Sequence, residues 1–197
     1  MSASDLVAPP PSRPYVIEAG SCLCRAHQRE VCLDCGTDYA ALNAAADSMR
    51  QSGGWLPPPN PQMALRAAKL REQGNGCFKK GEAEAAVKFY TAAVELARSR
   101  PIWEPSKAAR EDLTVNLCNR AAAYLELKRF HEARADAYVV TRLRADWPKA
   151  HYRHGRALEA LGLLPEAEEA YERGLAFDPK NSQMVESLEA LKKRMNG

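Results

Sequence analysis

Two sets of side chains in this sequence have the types and spacing of chemistry. Arg71, Asn75, Asn119, Lys149 and Arg153 are all hydrogen-bond donors, and three of them are cations at neutral pH. Arg71 and Asn75 are four apart, as are Lys149 and Arg153, so each pair shares one face of any helix that carries it. Several convergent donors that keep their protons are what the paired carboxylates of an acidic peptide end require. The plain alternative for any one of them is a solvated charge on a helix surface.

The second set is Cys22-Leu-Cys24-Arg-Ala-His27 followed by Cys32-Leu-Asp-Cys35. Any four of Cys22, Cys24, His27, Cys32 and Cys35 can surround a zinc ion tetrahedrally. Cys32 and Cys35 have the gap of half a zinc knuckle, whereas Cys22 and Cys24 stand closer than usual and no second distant pair exists. Such a site is structural, set against reduced, partly buried thiols. A catalytic zinc is disfavoured because no His-x-Glu is paired with Pro-Cys-x-x-Cys. Cys77 and Cys118 fall on apolar helix faces and read as small core residues.

The elements that must position the donors are legible in the spacing. From about Gln62 the pattern is helical. Leu70, Gly74, Cys77 and Phe78 share one face, Gly81 ends that helix, and Ala83, Ala86, Val87, Tyr90, Val94 and Ala97 share a face of the next. A repeat starting at Ala67 has Gly74, Ala86, Tyr90 and Ala93 at positions 8, 20, 24 and 27. A copy starting at Pro148 has Gly155, Ala167, Tyr171 and Gly174 in the same slots. Asn119 to Tyr124 and Phe130 to Ala133 define a middle copy from Thr114, and 148 − 114 = 34 is the tetratricopeptide period. The first spacing, 114 − 67 = 47, leaves 47 − 34 = 13 residues, Ser99 to Glu111, as an insertion expected to lengthen the link between hairpins. Its Trp103 is expected to plug the groove between them. Gly74, Ala86, Ala121, Ala133, Gly155 and Ala167 let helices within and between hairpins approach closely, with Tyr90, Tyr124 and Tyr171 expected to fill the gaps beside them.

The predicted fold is all-α: three tetratricopeptide helical hairpins near 67–100, 114–147 and 148–181, with a C-terminal capping helix at 182–196. A small mixed Cys-rich module at 15–58 precedes it, with a β-prone piece at Tyr15 to Glu18 and a helix from about Tyr39 to Met49. Residues 1–14 read as a disordered lead, and the Gly- and Pro-rich run from Gln51 to Pro61 holds the boundary to a repeat domain at 59–197. The composition, 46% hydrophobic and 27% charged over 197 residues, suffices for a core of ordinary size. A net charge of +3 with mixed signs excludes a phosphate-tracking surface, so nucleic acid is not an expected partner. No leader is apparent and no window approaches a spanning helix, so the expectation is a cytosolic or nuclear chain without direct membrane insertion.

In stacks of such hairpins the first helix of each lines the concave side, where the five donors converge. The motifs Leu70 to Asn75, Asn119 to Tyr124 and Asp146 to Arg153 resemble the dicarboxylate clamp of chaperone-binding tetratricopeptide domains, with Arg71 standing where Lys is usual. That resemblance implies the acidic C-terminal tail of a heat-shock chaperone of the seventy or ninety kilodalton class as ligand. The Arg-Pro-x-Trp-Glu insertion and the Glu-Arg-Gly-Leu-Ala-x-x-Pro run from Glu172 to Pro179 resemble the tetratricopeptide subunits of the fungal post-translational Sec translocon. This second resemblance covers most of 60–197 and implies a non-enzymatic adaptor at the cytosolic face of the endoplasmic reticulum. A membrane-anchored Sec translocon subunit would hold it there through the N-terminal module. No cofactor is implied beyond the candidate structural zinc. The alternatives are a free cytosolic co-chaperone and, further off, a zinc-dependent enzyme or ubiquitin-pathway factor.

Overall fold

The structure, a computed structural model, describes residues 15–18, 21–24, 26–51, 60–100 and 106–196. The expectations for the lead at 1–14, for most of the Gly- and Pro-rich run and for Trp103 lie outside the described residues. The chain falls into two compact units that meet at Asn60 in sequence.

In the first unit β1 (Tyr15–Glu18) pairs antiparallel with β2 (Ser21–Cys24), Tyr15 opposite Cys24 and Glu18 opposite Ser21. The short strands β3 (Val31–Cys32) and β4 (Thr37–Asp38) pair likewise. Asp38 then accepts a hydrogen bond from the Ala40 amide at 2.9 Å, capping α1 (Ala40–Gln51). Buried Asn43 of α1 completes β2 as a strand would. Its Oδ1 accepts from the Cys22 amide at 2.7 Å, and its Nδ2 donates to the Cys22 carbonyl at 3.0 Å and to Glu30 Oε1 at 2.7 Å.

The second unit is helical: α2 (Pro61–Lys79), α3 (Ala83–Arg98), α4 (Ser106–Glu126), α5 (Phe130–Leu143), α6 (Pro148–Ala160), α7 (Leu164–Phe177) and α8 (Ser182–Asn196). Asn60 caps α2 through a 3.0 Å bond from the Gln62 amide, and Pro61 supplies a preset first turn. The three hairpins close with the same turn. Amide-to-carbonyl bonds run from Glu82 to Cys77, from Arg129 to Tyr124 and from Leu163 to Leu158, each 2.9–3.0 Å. Each turn puts one residue in the left-handed region: Gly81 (φ 80°), Lys128 (φ 56°) and Gly162 (φ 78°), all at position 15 of their repeats.

Small residues are matched to large ones. A Cβ on Gly74 would come within 2.6 Å of the Tyr90 ring, and one on Gly155 within 2.5 Å of the Tyr171 ring. The middle repeat solves the same contact differently, with fully buried alanines, Ala121 and Ala137, at positions 8 and 24. Tyr124 fills a gap beside small residues as expected, but from a different slot of its repeat than Tyr90 and Tyr171. It sits at position 11, packs with Ala133 and Ala157, and lies under the guanidinium of Arg129, 4.7 Å from the ring centre.

Repeats are also stitched by polar contacts. Arg120 holds Asp136 with two bonds of 2.7 and 2.8 Å and reaches Thr91 Oγ1 at 3.1 Å, joining α3, α4 and α5. At the end of the stack α8 covers the last hairpin with buried Met184 and Leu191. Asn181 accepts from the Met184 amide as its cap.

The insertion differs from expectation. Helix α4 begins at Ser106, eight residues before Thr114, so the second part of the insertion lengthens a helix rather than a link. After Pro105 the run to Glu111 contains only residues that accept helical geometry without strain, and nothing there stops a helix from starting early.

Candidate functional site

Helices α2, α4 and α6 are the first helices of the three hairpins, and they carry all five expected donors. Three of these are linked directly. Asn119 Nδ2 donates to Asn75 Oδ1 at 3.2 Å, and Arg153 Nη1 donates to Asn119 Oδ1 at 3.4 Å. Asn75 Oδ1 also accepts from the Tyr90 hydroxyl at 2.8 Å, and burial raises the pKa of that phenol, so it stays a donor. With the amide oxygens of Asn75 and Asn119 occupied from within, their NH₂ groups are fixed in orientation. The Asn75–Asn119 bond also shows that the insertion leaves the first hairpin in register with the second.

The remaining two donors sit at opposite ends. Lys149 is exposed, yet its pKa is lowered, first by partial desolvation of its ammonium and then by the neighbouring Arg153 charge. Arg153 is half-buried. It donates to the Cys118 carbonyl and lies 2.9 Å from the Cys118 sulfur. Burial raises the pKa of the Cys118 thiol, so no thiolate forms there to cancel the neighbouring cations. Arg71 is different: its Nη1 stands 3.4 Å from Asp112 Oδ1, and Asp112 is also gripped by Arg100. Asp112 was missed in the sequence because its role depends on the early start of α4. The signal for it was an acid two residues before the repeat boundary.

A concavity of about 940 Å³ is lined by Tyr138, His151, His154, Arg173 and Phe177 among others and includes none of the five donors. His151 is a buried structural group there, with Nε2 2.8 Å from the Ala145 carbonyl.

In the first unit, ligand atoms of Cys24, His27, Cys32 and Cys35 all lie within 4.8 Å of one another. Cys22 is not one of the group, although it was counted as an equal candidate. The backbone hydrogen bond from the Arg29 amide pulls the Cys24 thiol pKa down, while hydrogen bonding to Cys32 pushes that of Cys35 up. The signal that selects these four was present: Cys24 to His27 and Cys32 to Cys35 both enclose two residues.

Comparison with known proteins bears on both units. A tetratricopeptide repeat family profile matches residues 148–181. The chain is 42% identical over 121 residues to the Schizosaccharomyces pombe protein named ER protein translocation subcomplex subunit sec67, covering 60% of this chain and 63% of that one. The chain thus spans less than two thirds of that relative's length. Among solved structures, that of the Saccharomyces cerevisiae Sec complex contains a chain superposing with a TM-score of 0.71 over 92% of this chain and 97% of that one. At 23% identity that likeness concerns the fold alone. The first tetratricopeptide domain of Spaghetti (RPAP3), solved bound to an HSP90 peptide, SRMEEVD, superposes with a TM-score of 0.58 at 30% identity, over 68% of this chain and 98% of that one. With nearly the whole of that domain matched at this identity, and with its own hairpins built on the same small-to-large packing, the chain belongs to the tetratricopeptide repeat family.

Proposed function

We propose that this chain is a non-catalytic adaptor of post-translational protein translocation, stationed at the cytosolic face of the endoplasmic reticulum. Its groove docks cytosolic heat-shock chaperones by their acidic C-terminal tails. The observation that carries the reading is the linked set Asn75, Asn119 and Arg153, which aligns donors from the first helices of three successive hairpins, with exposed Lys149 one turn before Arg153. A peptide ending in Asp offers two neighbouring carboxylates, and fixed amide and guanidinium donors beside a cation match them in charge and reach. The related domain bound to SRMEEVD supports that ligand class, and the S. pombe relative supports the setting.

A membrane-anchored Sec subunit would hold the adaptor in place. Among the described residues no helix is long and apolar enough to cross a membrane. The first unit exposes Leu33 (91%), Val31, Leu42 and Met49, apolar surface of the kind a partner covers.

Calorimetry with a peptide ending in Glu-Glu-Val-Asp tests the groove. Lys149→Glu is the variant of choice because Lys149 is exposed, whereas Arg153 also braces the Cys118 carbonyl. It should lose about 100-fold in affinity, about 2.7 kcal/mol, with an unchanged melting temperature. Unchanged affinity at moderate salt would end the proposal. A pull-down from cytosol and detergent-solubilised membranes should then lose chaperone while retaining Sec subunits. A protein that never sediments with microsomes would instead be a free co-chaperone using the same groove.

A further inference from the structure

We propose that Cys24, His27, Cys32 and Cys35 hold one structural zinc ion, and that this ion is the core of the first unit. Bonds of about 2.3 Å to sulfur and about 2.0 Å to nitrogen in a tetrahedron place ligand atoms roughly 3.6–3.8 Å apart. His27 Nδ1 lies 3.2 Å from Cys35 Sγ and 3.4 Å from Cys32 Sγ, within a few tenths of an ångström of that spacing. All four ligand atoms fall within 4.8 Å, which is an ion-sized cluster rather than a chance neighbourhood.

The backbone is built in two matching halves. Each half has two ligands separated by two residues, and each is followed at once by a residue in the left-handed region: Gln28 (φ 54°) after His27 and Gly36 (φ 63°) after Cys35. The first half is tied by the His27 amide donating to Cys24 Sγ at 3.3 Å and by the Gln28 amide donating to the Cys24 carbonyl at 3.0 Å. An amide donated to a ligand sulfur is the support a thiolate bound to a metal needs. One ligand of each half, Cys24 and Cys32, is fully buried, while its mate is exposed. The ion would thus sit at the junction of the two hairpins with no open coordination position, which makes the site structural.

Among the described residues of the first unit, no other feature supplies a core. Every cluster of buried apolar side chains among the described residues lies in the repeat unit. In the first unit the buried residues described are Cys24, Cys32, Asn43 and Ala45. A small module whose described residues form no apolar cluster gains most from a metal or cross-links, and all its cysteines are free thiols. Cys22 is not in the cluster, and its backbone is bonded to Asn43.

The test is metal analysis of the full chain, purified under reducing conditions without chelator. About one zinc per chain is expected, retained in Cys22→Ser and Cys77→Ser and lost in Cys35→Ser. Exchange with cobalt should give the visible absorption of a tetrahedral thiolate site, and His27→Cys should keep the metal while shifting those bands, since sulfur replaces nitrogen. Because Cys35 and His27 are exposed, these variants do not depend on refilling a buried position. Wild-type protein with less than about a tenth of an equivalent of zinc and no cobalt bands overturns the proposal. So does equal metal loss from Cys22→Ser and Cys35→Ser. Either result leaves the peptide groove of the other unit untouched.

Discussion

The first and third repeats occupy the two ends of the groove and are built alike, yet they present their cations in different states. Both pack a tyrosine against a glycine, Tyr90 on Gly74 and Tyr171 on Gly155, and both close their hairpins with the same left-handed turn. At the third repeat, no carboxylate among the described residues pairs with Lys149, and Arg153 spends its hydrogen bonds on carbonyl-type oxygens and a sulfur. At the first repeat, Arg71 shares Asp112 with Arg100. The same backbone can therefore carry an open cation or one already answered by its own chain, and what decides is a single acid on a lengthened helix.

If the two ends differ as described, charge reversal should reveal it. Lys149→Glu is expected to cost about 2.7 kcal/mol of peptide binding, whereas Arg71→Glu should cost at most about 1.4 kcal/mol, a tenfold change. Equal losses by calorimetry would erase the distinction. Packing should behave in the opposite way, alike at both ends. Gly74→Ala and Gly155→Ala each drive a Cβ into a tyrosine ring and should each destabilise the fold by about 2 kcal/mol in denaturant titrations. A clear difference between them would mean that one end is looser than its geometry implies.

Asp112→Asn sharpens the contrast from the other side. Releasing Arg71 should tighten peptide binding about fivefold, near 1 kcal/mol. The thermal midpoint should drop at the same time, because Arg100, whose side chain is only 5% exposed, loses its charged partner. Tighter binding without any loss of stability would show that Asp112 is not holding both arginines. The smallest effect concerns the middle repeat, where Lys128 occupies the left-handed position that is glycine at both ends. Lys128→Gly should raise stability by about 0.7 kcal/mol with no change in binding.

Much of this was readable before any coordinates. The strand at Tyr15–Glu18, the helix near 40–51, the three hairpins and the last helix all follow from periodicity and from glycine at fixed slots. Asn75, Asn119 and Arg153, joined by hydrogen bonds, lie on the first helices of repeats whose starts are 47 and then 34 residues apart. Tyr124 packs beside Ala133, as the run of small residues implied, although the middle repeat carries Ala121 and Ala137 where the other two carry Gly and Tyr. The insertion misled because Trp and Pro at its start masked a helix-forming run at its end.

Local rules thus settled which segments are helices and which faces they bury, since side-chain size and backbone freedom act within a few residues along the chain. They could not settle which charged groups meet. Arg71 and Asp112 are 41 residues apart, and Asp112 lies on α4 because that helix begins before Thr114. The same holds for the cysteines: five candidates lie within one short stretch of sequence, and two hairpins choose four of them by turning Cys22 to Asn43 and closing the rest on a common centre. Pairing in space depends on how elements pack, and electrostatic and ligand contacts change sharply over the few ångströms that packing decides.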